Sequence, residues 1–445
     1  MFIDFLLEGF KINNDRTALI WQDKEYSYRW LLNEYDKAWE ILIDNKIYTG
    51  KIVALRSDFT PCSIAFLLAL IENGNIFVPI SYAVKNPEEF YHIAQVEYKI
   101  ELESSGIPKI SDRNVKVDHP ILRELIENRH PGLILFSSGS TGKSKAAVHD
   151  FIPLLEKFKV KRHTLKTITF LLFDHIGGVN TLLYILSNSG TIITPMSREP
   201  EEICRLIEKF KVELLPTSPS FLNMMIISRV YEKYDLSSLK MITYGTETMP
   251  EYLLKKIHNL YPKIKLKQTY GLSELGILRS KSQSDDSLWV KVGGEGFQIK
   301  VVNGILFIKA KSAMLGYLNA PSPFDEEGWF NTQDKVEVNG EWIKILGRET
   351  DIINVGGQKV YPAEVESVLM EIDNIVDASV YGEKNPIMGD IVSATITLKN
   401  NEDLISLKRR IRQYCRNKLE SYKIPVTIKI SDKQQISDRF KKVRK

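Results

Sequence analysis

Cysteine is scarce. The 445 residues contain three, Cys62, Cys204 and Cys415, odd in number, scattered, and without the spacing of metal ligands. That excludes a disulfide framework or a zinc module and suits a reducing compartment. No apolar run is long enough to cross a bilayer. The opening MFIDFLLEGFKINNDR has no basic segment before its apolar residues and no small-residue cleavage site, so it does not read as a secretory signal. A cytoplasmic protein is expected. Charge of one sign is also lacking: 60 Lys and Arg against 56 Asp and Glu leave a net +4, with the signs interspersed. The exception is the basic tail, residues 429–445, which on composition alone reads as a solvated end or a nucleic-acid tail. Internal repeats and low-complexity linkers are absent, so domain boundaries must be short hinges.

What is there points to a multidomain α/β protein. Single cores stop growing at about 250–300 residues, so two or more domains are expected. Between residues 17 and 79, the segments TALIWQ, YRWLLNEYDKAWEILI, KIVALRS, SIAFLLALIENG and NIFVPI alternate as strand, helix, strand, helix, strand, the rhythm of a parallel sheet covered by helices. The rhythm returns between residues 167 and 244, predicting a second wound sheet. Around residues 304–339 short strands take over, GILFIKAKS and then DKVEVNGEWIKILG, with Asn339-Gly340 marking a hairpin. After Arg348 come a Gly-Gly turn, a helix in PAEVESVLMEI, two strands, a long helix over residues 404–419 and a last strand, VTIKI. This is a small α+β unit of ordinary domain size.

The densest chemical signal is LILFSSGSTGKSKAAVHD, residues 133–150. A strand enters a loop of Gly, Ser, Thr and Lys, whose backbone can approach a ligand closely and whose hydroxyls and amides donate to phosphate oxygens. A Walker A loop would need glycine five positions before Gly142, and Ser137 stands there, so that reading fails.

SSGSTGKSK, residues 137–145, resembles the phosphate loop of the adenylate-forming enzymes: acyl- and aryl-CoA synthetases, adenylation domains of nonribosomal peptide synthetases, and beetle luciferases. The usual form has Pro where this chain has Ser144. QTYGLSELG, residues 268–276, is similar to a second family segment. FNTQDKVEV carries the family aspartate as Asp334, and GRETDIINVGGQKVYPAEVE, residues 347–366, matches the motif that opens the small C-terminal domain. These motifs cover most of the chain, and the acyl-CoA synthetase-like members are the nearest in kind.

The resemblance implies a large adenylating domain, 1–348, and a small mobile lid domain, 349–445. It implies ATP, Mg²⁺ and a small carboxylic acid as reactants. Carboxylate attack on the α-phosphorus builds charge that hydroxyls, cations and metal must neutralise. By the resemblance Ser137, Ser138, Gly139, Ser140, Thr141, Gly142, Lys143 and Lys145 hold the β- and γ-phosphates, and Gly245, Thr246 and Glu247 lie near adenine. Tyr270 lies against adenine beside Gly271, Ser273 bonds the α-phosphate, and Glu274 holds Mg²⁺. Asp334 and Arg348 grip the ribose. A lysine near the C-terminus bridges carboxylate and α-phosphate. Gap-free alignment on YKIP, residues 422–425, makes it Lys441, with Lys442 one step away, although QQISDRFKK replaces the usual Pro-Thr-Gly before it. Thr350 stands at the hinge, where Asp or Lys is usual.

FLLFDHIGGVN, residues 170–180, falls where the family places its acyl-pocket motif. It makes His175 the aromatic gate, with Gly177 and Gly178 leaving room and Thr217 and Tyr244 as further walls. Asp174 beside the gate is weak evidence for an amino-acid substrate, and a hydroxylated, aliphatic or aromatic acid is expected instead. Gly356 and Gly357 would line a pantetheine tunnel. The acceptor is coenzyme A or a carrier protein, with coenzyme A favoured, and no nucleic-acid partner is expected. Two other readings stay open: a catalytically silent ATP- or acyl-binding protein of the same fold, suggested by the altered tail, and a phosphotransferase producing ADP.

Overall fold

The computed structural model describes residues 1–102, 106–138, 144–386, 388–432, 435–437 and 440–444. Two seven-stranded sheets dominate. One runs in the order Lys265–Gln268, Met241–Tyr244, Leu214–Thr217, Lys166–Ile168, Thr191–Thr194, Thr17–Trp21, Lys24–Ser27. The other runs Gly316–Tyr317, Ser144–Asp150, Gly132–Ser138, Ile76–Ile80, Ile52–Arg56, Tyr98–Leu102, Pro108–Asp112.

Alternation of side chains along each strand sends successive residues to different cores. Val53 and Leu55 enter the core between the sheets while Ile52 and Ala54 enter one on the outer face. Leu19 and Ile20 divide in the same way between the shared core and a third core. The helix Pro61–Glu72 sits between the sheets with every side chain but Cys62 buried, as its unbroken apolar text demands. Thr60 caps it by accepting from the Ser63 amide at 3.2 Å.

One expectation is corrected. Thr17–Trp21 does not join the sheet of its sequence neighbours Ile52–Arg56 and Ile76–Ile80; it pairs in parallel with Thr191–Thr194. A two-residue turn at Gln22 and Asp23, both at positive φ, first folds it back on Lys24–Ser27. The long helix that follows, Tyr28–Asp44, then carries the chain between the sheets.

A six-stranded antiparallel sheet follows, in the order Arg279–Ser282, Trp289–Gly293, Trp342–Arg348, Phe330–Asn339, Ile305–Ala310, Phe297–Val302. It includes the expected hairpin, where Asn339 faces Trp342. The C-terminal unit has a five-stranded sheet and its own core, covered by the helices Pro362–Leu369 and Leu404–Cys415. The turn Glu349–Asp351 joins it to the antiparallel sheet. The architecture is the expected one: two wound sheets, a small antiparallel module and a small α+β unit.

Candidate active site

One face of three adjacent parallel strands, Leu214–Thr217, Met241–Tyr244 and Lys265–Gln268, and the segments that leave the second and third at their C-terminal ends border a cavity of about 1120 Å³. Crevices beyond such strand ends are where open α/β sheets bind ligands. The segment after the third strand supplies Tyr270, Gly271, Ser273 and Glu274 to its wall. Gly271–Leu272 folds back on Gly276–Ile277 so tightly that a Cβ on Gly271 would lie 2.8 Å from the Gly276 carbonyl oxygen; only glycine allows the approach.

Tyr270 and Asp334 are both buried, and the Tyr270 hydroxyl donates to Asp334 Oδ2 at 2.5 Å. Burial raises the Asp334 pKa above the usual carboxylate range, against the lowering effects of the Tyr270 bond and the Arg348 charge. Asp334 and Arg348 sit opposite each other across two antiparallel strands, with Nε and Oδ1 3.7 Å apart. The two residues assigned to the ribose thus arrive together by strand register.

Glu274 Oε1 accepts from the Tyr317 hydroxyl at 2.5 Å. Tyr317 pairs with Ala147 on the strand that leaves the phosphate loop, and the Lys145 ammonium lies 5.2 Å from its ring centre. Buried His149, on the same strand, has Nε2 2.6 Å from the Ser273 carbonyl oxygen. Burial lowers its pKa, so the neutral imidazole donates that bond and fixes the Ser273-Glu274 peptide. The strands on either side of residues 139–143 pair antiparallel, Ser137 facing Lys145 and Ser138 facing Ser144. Ser137 borders the cavity. Gly139, Ser140, Thr141, Gly142 and Lys143 lie outside the described residues.

Residues 10–318 match the family model for AMP-binding enzymes, and residues 364–441 match the model for their C-terminal domain. The chain belongs to the AMP-binding enzyme family. Indoleacetate–CoA ligase of Aromatoleum aromaticum is 24% identical over 482 residues, covering 94% of this chain and 91% of that protein. Acyl-CoA synthetase 7 of Caenorhabditis elegans is 30% identical over 322 residues, covering 65% of this chain and 59% of its own. The crystal structure of an anthranilate CoA ligase in complex with anthranoyl-AMP shares the fold, with TM-score 0.82 at 19% identity, over 98% of this chain and 94% of that one.

In this AMP-binding enzyme the two candidate tail lysines have different surroundings. Lys442 Nζ is 3.0 Å from Asp377 Oδ1 and 2.7 Å from the Ala378 carbonyl oxygen, with both side chains of the ion pair buried. Burial opposes its charge, yet Glu366 and Asp377 hold the ammonium above its usual pKa. Arg444 forms two 2.9 Å bonds to Glu366. These contacts tie the tail to the C-terminal sheet. Other contacts tie it to the large domain: Glu247 accepts from the amides of Ser220 and Lys442, at 2.6 and 2.8 Å, and Ser218 Oγ donates to the Phe440 carbonyl at 2.7 Å. Lys441 borders the cavity between these anchors.

Several expected site residues lie elsewhere. Thr217 and Tyr244 do not border the cavity; Tyr244 packs with Leu215 and Ile242 in the core under the sheet, and Thr217 is buried. Pro216 and Thr243, one position earlier, face the ligand space. Strand period decides this, because a shift of one residue reverses the face. Gly178 serves packing: a Cβ there would lie 2.0 Å from the Leu172 carbonyl oxygen, while Gly177 does border the cavity. Gly245 is pressed on Thr269, and Thr246 and Glu247 supply the wall beside it. Asp174 accepts from Ser81 Oγ at 2.9 Å and does not border the cavity.

His175 borders the cavity and also caps the helix Ile176–Ser187, its Nδ1 accepting from the Gly177 amide at 3.0 Å. A capping Nδ1 leaves the neutral ring's proton on Nε2. Gly356 and Gly357 form the tip of the hairpin between Ile353–Val355 and Gln358–Val360, away from the cavity in this arrangement. Thr350 lies exposed in the turn Glu349–Asp351, its hydroxyl 3.3 Å from Asp351 Oδ1. Sequence reasoning missed His149 and Tyr317. Neither has a local signal, because each reaches the site only through the pairing of distant strands.

Proposed function

We propose that this chain activates a carboxylic acid as its acyl-adenylate and transfers the acyl group to the thiol of coenzyme A. The observation that carries the reading is one cavity bordered at once by Tyr270, Ser273 and Glu274, by the Asp334–Arg348 pair, and by Lys441 from the tail. Family membership and the CoA ligase names of the relatives support it. Within the proposal, residues 1–348 bind ATP and acid, and residues 349–445 act as the lid.

In the first step a carboxylate oxygen of the acid bonds to the α-phosphorus, the bond from that phosphorus to the bridging oxygen breaks, and pyrophosphate leaves. Lys441 stabilises the charge between the two reactants, and Ser273 donates to an α-phosphate oxygen. Asp334, an acceptor, takes ribose hydroxyls together with Arg348. Mg²⁺ would bind Glu274, whose Oε1 is oriented by Tyr317, and would neutralise phosphate charge. A carboxylate is a hard oxygen donor, and with phosphate oxygens and water as the remaining donors it would suit Mg²⁺. In the second step the thiol sulfur bonds to the acyl carbon, the bond from that carbon to the phosphate oxygen breaks, AMP leaves, and the thiol proton passes to water. His175 and Gly177 flank the acyl group.

The test is nucleotide chromatography of protein incubated with ATP, Mg²⁺ and an acid library. AMP and pyrophosphate are expected, with acyl-AMP trapped when thiol is omitted. ADP would establish phosphotransfer instead, and ATP binding without turnover of any acid would establish a silent scaffold. Glu274→Gln and Asp334→Ala should each lower adenylate formation by about a hundredfold or more while the fold, read by circular dichroism, stays intact. Full activity in both would remove these site assignments.

A further inference from the structure

The cavity is electrically lopsided. Its carboxylates, Glu247, Glu274, Asp334 and Asp351, border the end assigned to the nucleotide and are each engaged with another group. Its other end follows the helix Ile176–Ser187 from His175 to Tyr184, about 13 Å at 1.5 Å per residue. Among the described residues that end has cations and no acid.

Four of them matter. Lys267 is placed by sheet register: Pro216, Thr243 and Lys267 form one row across three parallel strands, all facing the ligand space. Buried faces of parallel sheets are ordinarily apolar, so a lysine in that row is an anomaly. Lys157 enters from the segment after the helix Phe151–Glu156, and one of its three protons goes to the Ile277 carbonyl oxygen at 3.0 Å. Arg162 is tethered by its backbone amide to Asn188 Oδ1, just past the helix end. Arg279 opens the strand Arg279–Ser282. Neighbouring Lys161 is different: its ammonium bonds the Ser187 carbonyl oxygen at 2.6 Å and so caps the helix C-terminus. Among the described residues no carboxylate lies within ion-pair distance of the four. The charges acting on Lys157 are those of Arg162 and Arg279, and the charge acting on Lys267 is that of Arg162. Like charges gathered at one end of a cavity without a counter-ion raise the energy of the empty protein and favour an anion there.

We infer that the acid this chain activates has a second anionic group, held at the far end of the acyl cavity by Lys157, Arg162, Lys267 and Arg279. The inference rests on the ligase reading above and adds the substrate class: an extended dicarboxylate, or an acid with a distal phosphonate or phosphate. The reacting carboxylate lies by His175 and Lys441, and the distal anion reaches past Tyr184.

The test uses matched probes: octanoate against octanedioate, dodecanoate against dodecanedioate, and the corresponding ω-phosphono acids. Pyrophosphate release should favour the doubly anionic member of at least one pair by about tenfold or more in kcat/KM. In Arg162→Gln and Lys267→Met that ratio should fall towards one. A wild-type preference for the monoacids overturns the inference, as does a ratio that survives both substitutions. So does a rise in KM for ATP or coenzyme A of equal size with every acid, which would assign the cations to a phosphate of those substrates. If no acid releases pyrophosphate, the ligase reading fails on its own. Calorimetric titration with octanedioate and octanoate then still reads the cations: tighter binding of the diacid that disappears in the Arg162→Gln/Lys267→Met double variant supports them, and equal binding overturns them.

Discussion

Lys157 shows how burial and neighbours set a titration. Burial first, then repulsion from Arg162 and Arg279, brings its pKa down from 10.5 to about 7. Between those values the unfolded chain holds a proton that the folded protein has released. Stability therefore rises with pH across that window, and the destabilisation is fully present below about pH 7. Lys157→Met should raise the denaturation midpoint at about pH 6 and have a shrinking effect towards about pH 10. Urea titrations at several pH values check this, and a benefit that grows with pH would refute it. Lys442 presents the opposite case. Its removal strands the buried Asp377 carboxylate beside Glu366, so Lys442→Met should cost about 3–5 kcal/mol and lower Tm. Lys441→Ala should slow adenylate formation and lower Tm by less than Lys442→Met does. Reversed effects in the two variants would exchange their roles. Two adjacent lysines cannot be told apart from the sequence, because what separates them is which one Asp377 receives from 65 positions away in the chain.

At the level of the element, strand parity governs which residues see the ligand. The positions of Leu214–Thr217 and Met241–Tyr244 were legible as strands, yet in a parallel sheet both faces are apolar, so the text does not reveal the side that faces the cavity. Tyr244 lies on the core side, and its hydroxyl is buried without a hydrogen-bond partner among the described residues. Tyr244→Phe should consequently be neutral or stabilising, measured as an unchanged or raised denaturation midpoint with unchanged acid preference. A fall of more than about 1 kcal/mol would mean the hydroxyl has a partner. Thr243→Val, on the ligand side, should alter the relative kcat/KM values across an acid panel.

Across the whole molecule, the tail joins the two halves. Phe440 adopts a left-handed backbone, φ 54°, where bulky residues rarely settle. Its ring lies 5.1 Å from Phe170 and 6.1 Å from Phe221 in the large domain, an aromatic cluster that offsets the backbone cost. With the Ser218 and Glu247 bonds it latches the tail beside the cavity, the arrangement that the adenylation step proposed above would use. Phe440→Gly removes the ring and relaxes the backbone. It should slow pyrophosphate release by about tenfold, on the scale of an aromatic pair worth up to about 1.5 kcal/mol. Transfer from preformed acyl-AMP to coenzyme A should keep its rate. Equal slowing of the two half-reactions would show a general loss of structure instead of a lost latch.

The sequence by itself determined the kinds of layer and the chemistry of the site. Alternating apolar segments required wound sheets, and the glycine, hydroxyl and lysine loop together with the Tyr270–Glu274 segment and Asp334 specified a nucleotide site, because those signals are contained within a few consecutive residues. Only the tertiary structure decided that Thr17–Trp21 crosses to the second sheet, that Thr243 and not Tyr244 faces the ligand space, that Lys442 is spent on Asp377, and that Lys157, Arg162, Lys267 and Arg279 gather at one end of the cavity. Each of those outcomes depends on strand register or on burial between segments far apart in the chain, and no local pattern of residues encodes either.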